Sequence, residues 1–186
     1  MNLANRITVF RLIIFFPFVI LLSLFYFFRS QNEYLYSAAA IFVLAMFSDF
    51  LDGYIARKQN TITTFGKLFD PLADKIITNT ALIALSVFGY LPIFVTALFI
   101  ARDIIVDGSR NIAAANKIEI AASIWGKYKT IIVSIGVSIV LFLAPIFNTN
   151  NIIMQIINIP IYIGLILSLV SGIQYLSKIK EYINAK

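Results

Sequence analysis

Ile7-Thr8-Val9-Phe10-Arg11-Leu12-Ile13-Ile14-Phe15-Phe16-Pro17-Phe18-Val19-Ile20-Leu21-Leu22-Ser23-Leu24-Phe25-Tyr26-Phe27-Phe28 carries a single charge, Arg11. A helix that spans a bilayer needs about 20 predominantly apolar residues, and this run supplies them. It is too long for the apolar region of a cleavable leader, and no small-residue cleavage site follows it, so it predicts a retained membrane helix. Five further apolar segments follow, at roughly 34–56, 67–89, 91–115, 126–146 and 152–176. Turn signals separate them, most clearly Gly89-Tyr90-Leu91-Pro92 and Asn148-Thr149-Asn150-Asn151. The 186 residues are 60% hydrophobic and their mean hydropathy is +0.90, more apolar than a soluble domain of this length. The expected fold is an all-α integral membrane protein with six transmembrane helices, forming one domain over residues 1–186.

The charges orient these spans. Arg6 and Arg11 lie at the N-terminus, Arg57, Lys58 and Lys67 between segments two and three, and Arg110, Lys117, Lys127 and Lys129 between four and five. Lys178, Lys180 and Lys186 lie in the tail, and Lys75 and Arg102 fall nearer this basic side. The opposite side has only Arg29. Lysine and arginine mark the cytoplasmic side, so both termini are expected there. The protein is then a multi-pass component of the cell membrane. A net charge of +6 suits anionic lipid or an anionic substrate. Nucleic acid is a poor fit, because the basic residues are scattered between apolar spans and form no basic domain.

The chain has no Cys and no His. Thiolate nucleophiles, histidine bases, disulfides and the usual zinc sites are therefore excluded. Acid–base chemistry falls to Asp, Glu, Lys or Tyr. A metal site must use oxygen ligands, which suit Mg²⁺, Mn²⁺ or Ca²⁺.

Against that background, four of the nine acidic residues cluster at Asp49, Asp52, Asp70 and Asp74. Carboxylates in a membrane chain are costly and mark functional sites. On helices, Asp49 and Asp52 lie about 60° apart, and Asp70 and Asp74 about 40° apart. A short connection makes the two helices antiparallel neighbours, so the four carboxylates can converge. Two carboxylates about 6 Å apart repel by roughly 3 kcal/mol at an effective dielectric of about 20. Protons or divalent cations must relieve that repulsion. The oxygen-only donor set favours one or two Mg²⁺ or Mn²⁺ ions. Gly53 and Ala56 share the Asp49–Asp52 stripe. They suit either close helix packing or close approach of a flat or phosphorylated ligand. Arg57 suits a phosphate or a topology anchor. Pro71 is expected near the start of its helix, where a missing N–H is tolerated, or as the cause of a kink in it.

The pattern Asp-x2-Asp-Gly-x2-Ala-Arg-x8-Gly-x3-Asp-x3-Asp, from Asp49 to Asp74, closely resembles the signature of the CDP-alcohol phosphotransferases. Every fixed position is present at the signature's spacing. The resemblance implies a six-helix membrane fold, usually dimeric, with a cytoplasm-facing site that displaces CMP from a CDP-linked donor with an alcohol. It implies two metal ions, held by Asp49, Asp52, Asp70 and Asp74. Asp74 would also be the general base for the acceptor hydroxyl. Gly53, Ala56, Arg57 and Thr63 would hold the CDP portion.

Other pieces look like the bacterial phosphatidylglycerophosphate synthase branch. They are Asn5-Arg6-Ile7-Thr8-Val9-Phe10-Arg11, Phe65-Gly66-Lys67, and Asp70-Pro71-Leu72-Ala73-Asp74-Lys75. Arg102-Asp103 with Arg110, Ala113 and Ala114 is similar too, as is Ala121-Ala122-Ser123-Ile124-Trp125-Gly126-Lys127-Tyr128-Lys129-Thr130. That branch joins CDP-diacylglycerol to sn-glycerol 3-phosphate, a dianionic acceptor that needs a cationic pocket. Arg110, Lys127 and Lys129 are candidates for it, although the positive-inside rule alone accounts for basic residues there. Thr8 and Arg11 are further candidates, Arg11 alternatively anchoring the first helix. Two positions depart from the branch: Asp103 where it usually has Glu, and Asp107 where it commonly has a small hydroxyl residue. Asp107 is expected to pair with Arg110 at i,i+3.

Three rival readings are open to the sequence. One keeps the chemistry with another alcohol, such as serine or inositol phosphate. Another makes the aspartates a divalent-ion transport site, but no inverted repeat or broken helix accompanies them. A purely structural membrane protein leaves the clustered carboxylates unexplained.

Overall fold

The computed structural model describes the backbone of residues 3–59, 64–115, 124–147 and 150–184, and side chains over 7–49, 72–113, 124–147 and 150–177. Among the described residues, six helices follow one another: α1 (Leu3–Phe27), α2 (Asn32–Gln59), α3 (Thr64–Val87), α4 (Ile93–Ala115), α5 (Ile124–Phe147) and α6 (Asn151–Asn184). Among the described residues there is no strand. Among the described residues, three stretches are long and apolar enough to cross a membrane, Ile7–Phe27, Ile124–Phe147 and Asn151–Ser177. Large apolar side chains point outward along the bundle, among them Ile13, Phe16 and Ile20 of α1 and Ile152, Ile156, Ile166 and Ile173 of α6. An apolar outer face of this extent is matched by acyl chains and marks a membrane protein.

The six predicted segments all fall on these helices. Two details differ. α6 runs on to Asn184, because the lysines after 177 are compatible with helix although not with hydrocarbon. α3 begins at Thr64, so Pro71 lies inside the helix and not in its first turn. One main-chain hydrogen bond of α3 is therefore missing.

Local chemistry ends and starts the helices where the turn signals stand. Gly89 has φ +80°, the left-handed conformation that closes α3. The N–H of Tyr90 donates to the carbonyl of Leu85 at 2.8 Å, and that of Gly89 to Ser86 at 3.1 Å. This pair of bonds satisfies carbonyls that the helix end leaves open. Arg29 completes that end: it donates to the carbonyls of Phe88 at 3.1 Å and Val87 at 3.3 Å, and its guanidinium sits 5.1 Å over the Phe88 ring. Asn150 caps α6, its side-chain oxygen accepting from the N–H groups of Ile152 and Ile153 at 3.1 and 3.2 Å.

The core joins all the helices. α1 packs mainly on α2 and α5 mainly on α6, while α3 touches α1, α2, α4 and α5. Phe18, Phe25, Phe42, Leu85, Phe99, Leu141 and Ile161 are wholly or almost wholly buried. Gly136 lets α5 approach α6 closely: a Cβ there would lie 2.8 Å from Ile161 Cγ1 and 3.0 Å from its main-chain nitrogen. This apolar core fills the half of the bundle nearer Arg29 and Gly89. The other half carries the interhelical charges.

Candidate active site

Among the predicted carboxylates, Asp49 on α2 and Asp74 on α3 have described side chains. Asp52, Gly53, Ala56 and Arg57 lie on α2 and Asp70 on α3, but their side chains are outside the described residues, as is Thr63 altogether. Among the described residues no three acidic side chains form a cation-binding group.

Asp49 forms an ion pair with Arg11 of α1. Arg11 is fully buried, and so is Thr8 one turn before it. The guanidinium of Arg11 therefore lies inside the bundle. A guanidinium out of water requires a charged partner, and Asp49 supplies it. Asp74 stands within Coulomb range of Asp49, Asp103, Arg11 and Lys129. Its Oδ1 is buried and accepts no hydrogen bond from the described residues, and Thr78 Oγ1, one turn on, is in the same condition. Leaving a buried acceptor unsatisfied costs about 1–3 kcal/mol, and more when it is charged. An oxygen in that state, in a chain whose donors are all oxygens, fits a hard divalent cation.

A cavity of about 240 Å³ opens beside Asp74, between α3, α4, α5 and α6. Its lining brings Asp74 together with Arg110, Lys127 and Lys129. Four residues singled out from separate parts of the sequence thus share one space. Thr8 is not part of that lining.

The cavity's other charges decide which cations are available. Asp103 accepts from Arg102 Nη1 at 2.8 Å and from Lys129 Nζ at 2.7 Å, so Lys129 is already engaged. Arg102 is held further by α6, donating to the Ser168 carbonyl at 2.8 Å and to Ser171 Oγ at 2.6 Å. Lys75 of α3 pairs with Asp107 of α4. This corrects the expected Asp107–Arg110 pair: Arg110 instead lies 5.3 Å over the ring of Tyr175. Arg110 and Lys127 have no carboxylate partner among the described residues.

Both departures from the branch pattern now have a physical account. The shorter acid at 103 still reaches Arg102 and Lys129. The extra carboxylate at 107 is matched by Lys75 and does not cancel Arg110. The sequence reading missed Tyr175 and the serines of α6. A signal was present: Ser168, Ser171, Gly172 and Tyr175 recur at i, i+3, i+4 and i+7 in α6. Gly172 belongs to this face because a Cβ there would meet Arg102 Nε at 3.2 Å.

Residues 1–170 match the CDP-alcohol phosphatidyltransferase family. A Mycoplasma pneumoniae protein named CDP-diacylglycerol--glycerol-3-phosphate 3-phosphatidyltransferase is 34% identical over 205 residues, covering 100% of this chain and 90% of its own. Proteins of the same name from Rickettsia typhi (35% identical, 97% of this chain and 98% of theirs) and Bacillus subtilis (35% identical, 76% and 72%) are similar.

Proposed function

The chain belongs to the CDP-alcohol phosphatidyltransferase family, and from that membership we propose that it transfers the phosphatidyl group of CDP-diacylglycerol to sn-glycerol 3-phosphate, releasing CMP and phosphatidylglycerophosphate. The names of the relatives support the choice of donor and acceptor. The observation that carries it is the cavity beside Asp74, where Arg110 and Lys127 are the cations without a carboxylate partner among the described residues. Two unpaired cations match the charge of one phosphate dianion. An uncharged acceptor such as serine would leave both unmatched.

In this reading Asp74 takes the proton of the acceptor hydroxyl. The freed oxygen attacks the phosphorus that carries diacylglycerol, the phosphoanhydride bond breaks, and its electron pair leaves with CMP. Without His or Cys, a carboxylate is the natural base. Arg110 and Lys127 hold the acceptor's phosphate, with Lys129 on the Asp103 side of the pocket. Gly53, Ala56, Arg57 and Thr63 are proposed to hold the donor's CDP portion, with Thr8 a further candidate on the acceptor side. Asp49, Asp52, Asp70 and Asp74 would hold two Mg²⁺ or Mn²⁺ ions. When bound, such ions stabilise charge on the attacking and leaving oxygens.

The setting follows from the charges. We place residues 1–186 as one membrane domain of six spans, with both termini and the site at the cytoplasmic face of the cell membrane, working as a homodimer among anionic phospholipids. The clustering of Lys and Arg at the Asp74 end supports this orientation. The test is CMP release and product identification with CDP-diacylglycerol in detergent micelles, offering glycerol 3-phosphate, serine or inositol phosphate with Mg²⁺ or Mn²⁺. Phosphatidylglycerophosphate as the main product is expected. Product from another alcohol but none from glycerol 3-phosphate would sink the acceptor assignment.

A further inference from the structure

Tyr175 lies in α6, on the face that carries Ser168, Ser171 and Gly172. Its side chain is 5% exposed, although the cavity it borders is open. It forms a small buried contact with Val106, separate from the main core. Its ring face is covered by the exposed guanidinium of Arg110 at 5.3 Å. That distance is within the range where the ring quadrupole attracts a cation.

The arrangement is part of a longer registration between α4 and α6. Arg102 is fastened to Ser168 and Ser171, and Arg110, two turns on, meets Tyr175, between one and two turns past Ser171. Eight residues of α4 advance about 12 Å and the seven from Ser168 to Tyr175 about 10 Å, so the two attachments keep step only if the helices run parallel. The first attachment uses hydrogen bonds and leaves Arg102 committed to Asp103. The second uses only a ring face and leaves all five guanidinium N–H donors free of protein acceptors among the described residues.

We propose that Tyr175 is a positioning residue for the acceptor: its ring holds the Arg110 guanidinium over the cavity with its donors unspent, so that they meet the acceptor's phosphate. The inference rests on the glycerol 3-phosphate reading above. Tyr175 touches neither reacting atom and acts through Arg110. A long arginine side chain without such a shelf would have to be immobilised on binding, and that loss of freedom appears as weaker binding.

The test is steady-state kinetics of the full-length protein with each substrate varied in turn. Tyr175→Leu keeps an apolar contact with Val106 and removes the ring. It is expected to raise KM for glycerol 3-phosphate about five- to tenfold, the range for losing one partly exposed cation–π contact. KM for CDP-diacylglycerol and kcat should move less than about twofold. Tyr175→Phe keeps the ring and should rescue most of the loss, separating the ring from the hydroxyl. In an Arg110→Ala background, Tyr175→Leu should add nothing further. Tyr175→Met, similar in bulk and more adaptable, serves where the leucine variant fails to fold. An unchanged acceptor KM in Tyr175→Leu or Tyr175→Met, or equal losses for both substrates, overturns the inference while the acceptor reading stands. A wild-type protein that gives no product with glycerol 3-phosphate overturns both.

Discussion

The Lys75 ammonium of α3 is paired with the Asp107 carboxylate of α4 across the wall of the Asp74 cavity. The pair neutralises a carboxylate three residues from Arg110, on the same face of α4. Without Lys75, the Asp107 charge would face an incoming phosphate. Both side chains are partly exposed, 27% and 40%, so screening limits the effect to about 1 kcal/mol. Lys75→Met is therefore expected to raise KM for glycerol 3-phosphate about fivefold. The double change Lys75→Met with Asp107→Ser should restore it. Recovery only of stability, with KM still high, would show that Lys75 contacts the acceptor itself.

Arg110 and Lys127 should divide the acceptor's phosphate between them. A hydrogen bond to a charged group contributes about 1.5–3 kcal/mol, so Arg110→Ala or Lys127→Ala should raise acceptor KM by roughly 10- to 100-fold. KM for CDP-diacylglycerol should stay within about twofold. Lys129→Ala should behave differently. It leaves Asp103 with Arg102 as its one remaining charged partner, so a fall in thermal stability is expected alongside any kinetic change. Initial rates and melting temperatures in micelles, measured on all three variants, distinguish these patterns.

Asp74→Asn removes the proposed base and a buried, unsatisfied oxygen anion together. General-base catalysis is worth about 10²- to 10⁴-fold, and CMP release should fall by at least that much. The folded protein should be no less stable, because a buried carboxylate oxygen without a hydrogen-bond partner among the described residues is gone. Added Mg²⁺ or Mn²⁺ should raise the melting temperature of the wild type through preferential binding to the folded state. That rise should shrink in Asp74→Asn. A variant that still releases CMP at the wild-type rate would remove Asp74 from the base role.

Asp49 and Asp74 were legible in the sequence because spacing and the expense of carboxylates in an apolar chain both singled them out. Arg110, Lys127 and Lys129 were legible as a group, but not their division of labour. Local spacing suggested Asp107–Arg110, and only tertiary packing brings Lys75 within reach of Asp107. Tyr175 was hidden for a related reason. In α6 an aromatic residue reads as one more apolar side chain until the arginine above it is known. The six helices were readable from length and hydropathy, and the turns from Gly89 and Asn150. The start of α3 was not, because Pro71 suggests a first turn and the helix extends back to Thr64 regardless.

Arg11 and Asp49 form a pair whose guanidinium is fully buried while the carboxylate side chain retains 37% exposure. Breaking a fully buried pair costs about 3–5 kcal/mol, and partial exposure of Asp49 trims this to about 2–3. For a chain of this size each kcal/mol shifts the melting temperature by about 2–4 °C, so Arg11→Met should lower it by roughly 5–10 °C. Asp49→Asn should also lower it, since it removes the charge that Arg11 pairs with across α1 and α2. The double variant should recover part of the loss. Additive losses in the double variant would show that the two side chains do not stabilise each other.

Gly136→Ala sets helix propensity against packing at the α5–α6 contact. Alanine is favoured over glycine inside a helix by about 1 kcal/mol. The added Cβ would stand 2.8 Å from Ile161 Cγ1, 3.0 Å from Ile161 N and 3.1 Å from Pro160 Cβ. The isoleucine side chain can move, but the main-chain nitrogen belongs to α6 and moves only with the helix. Overpacking of a tight core costs about 1–3 kcal/mol, so steric cost outweighs propensity and the variant should melt lower. Because α6 also carries Ser168, Ser171 and Tyr175, a displaced α6 should weaken the hold on Arg102 and Arg110. Acceptor KM should therefore rise together with the loss of stability. A lower melting temperature with unchanged acceptor KM would show that the α5–α6 contact and the cavity wall move independently.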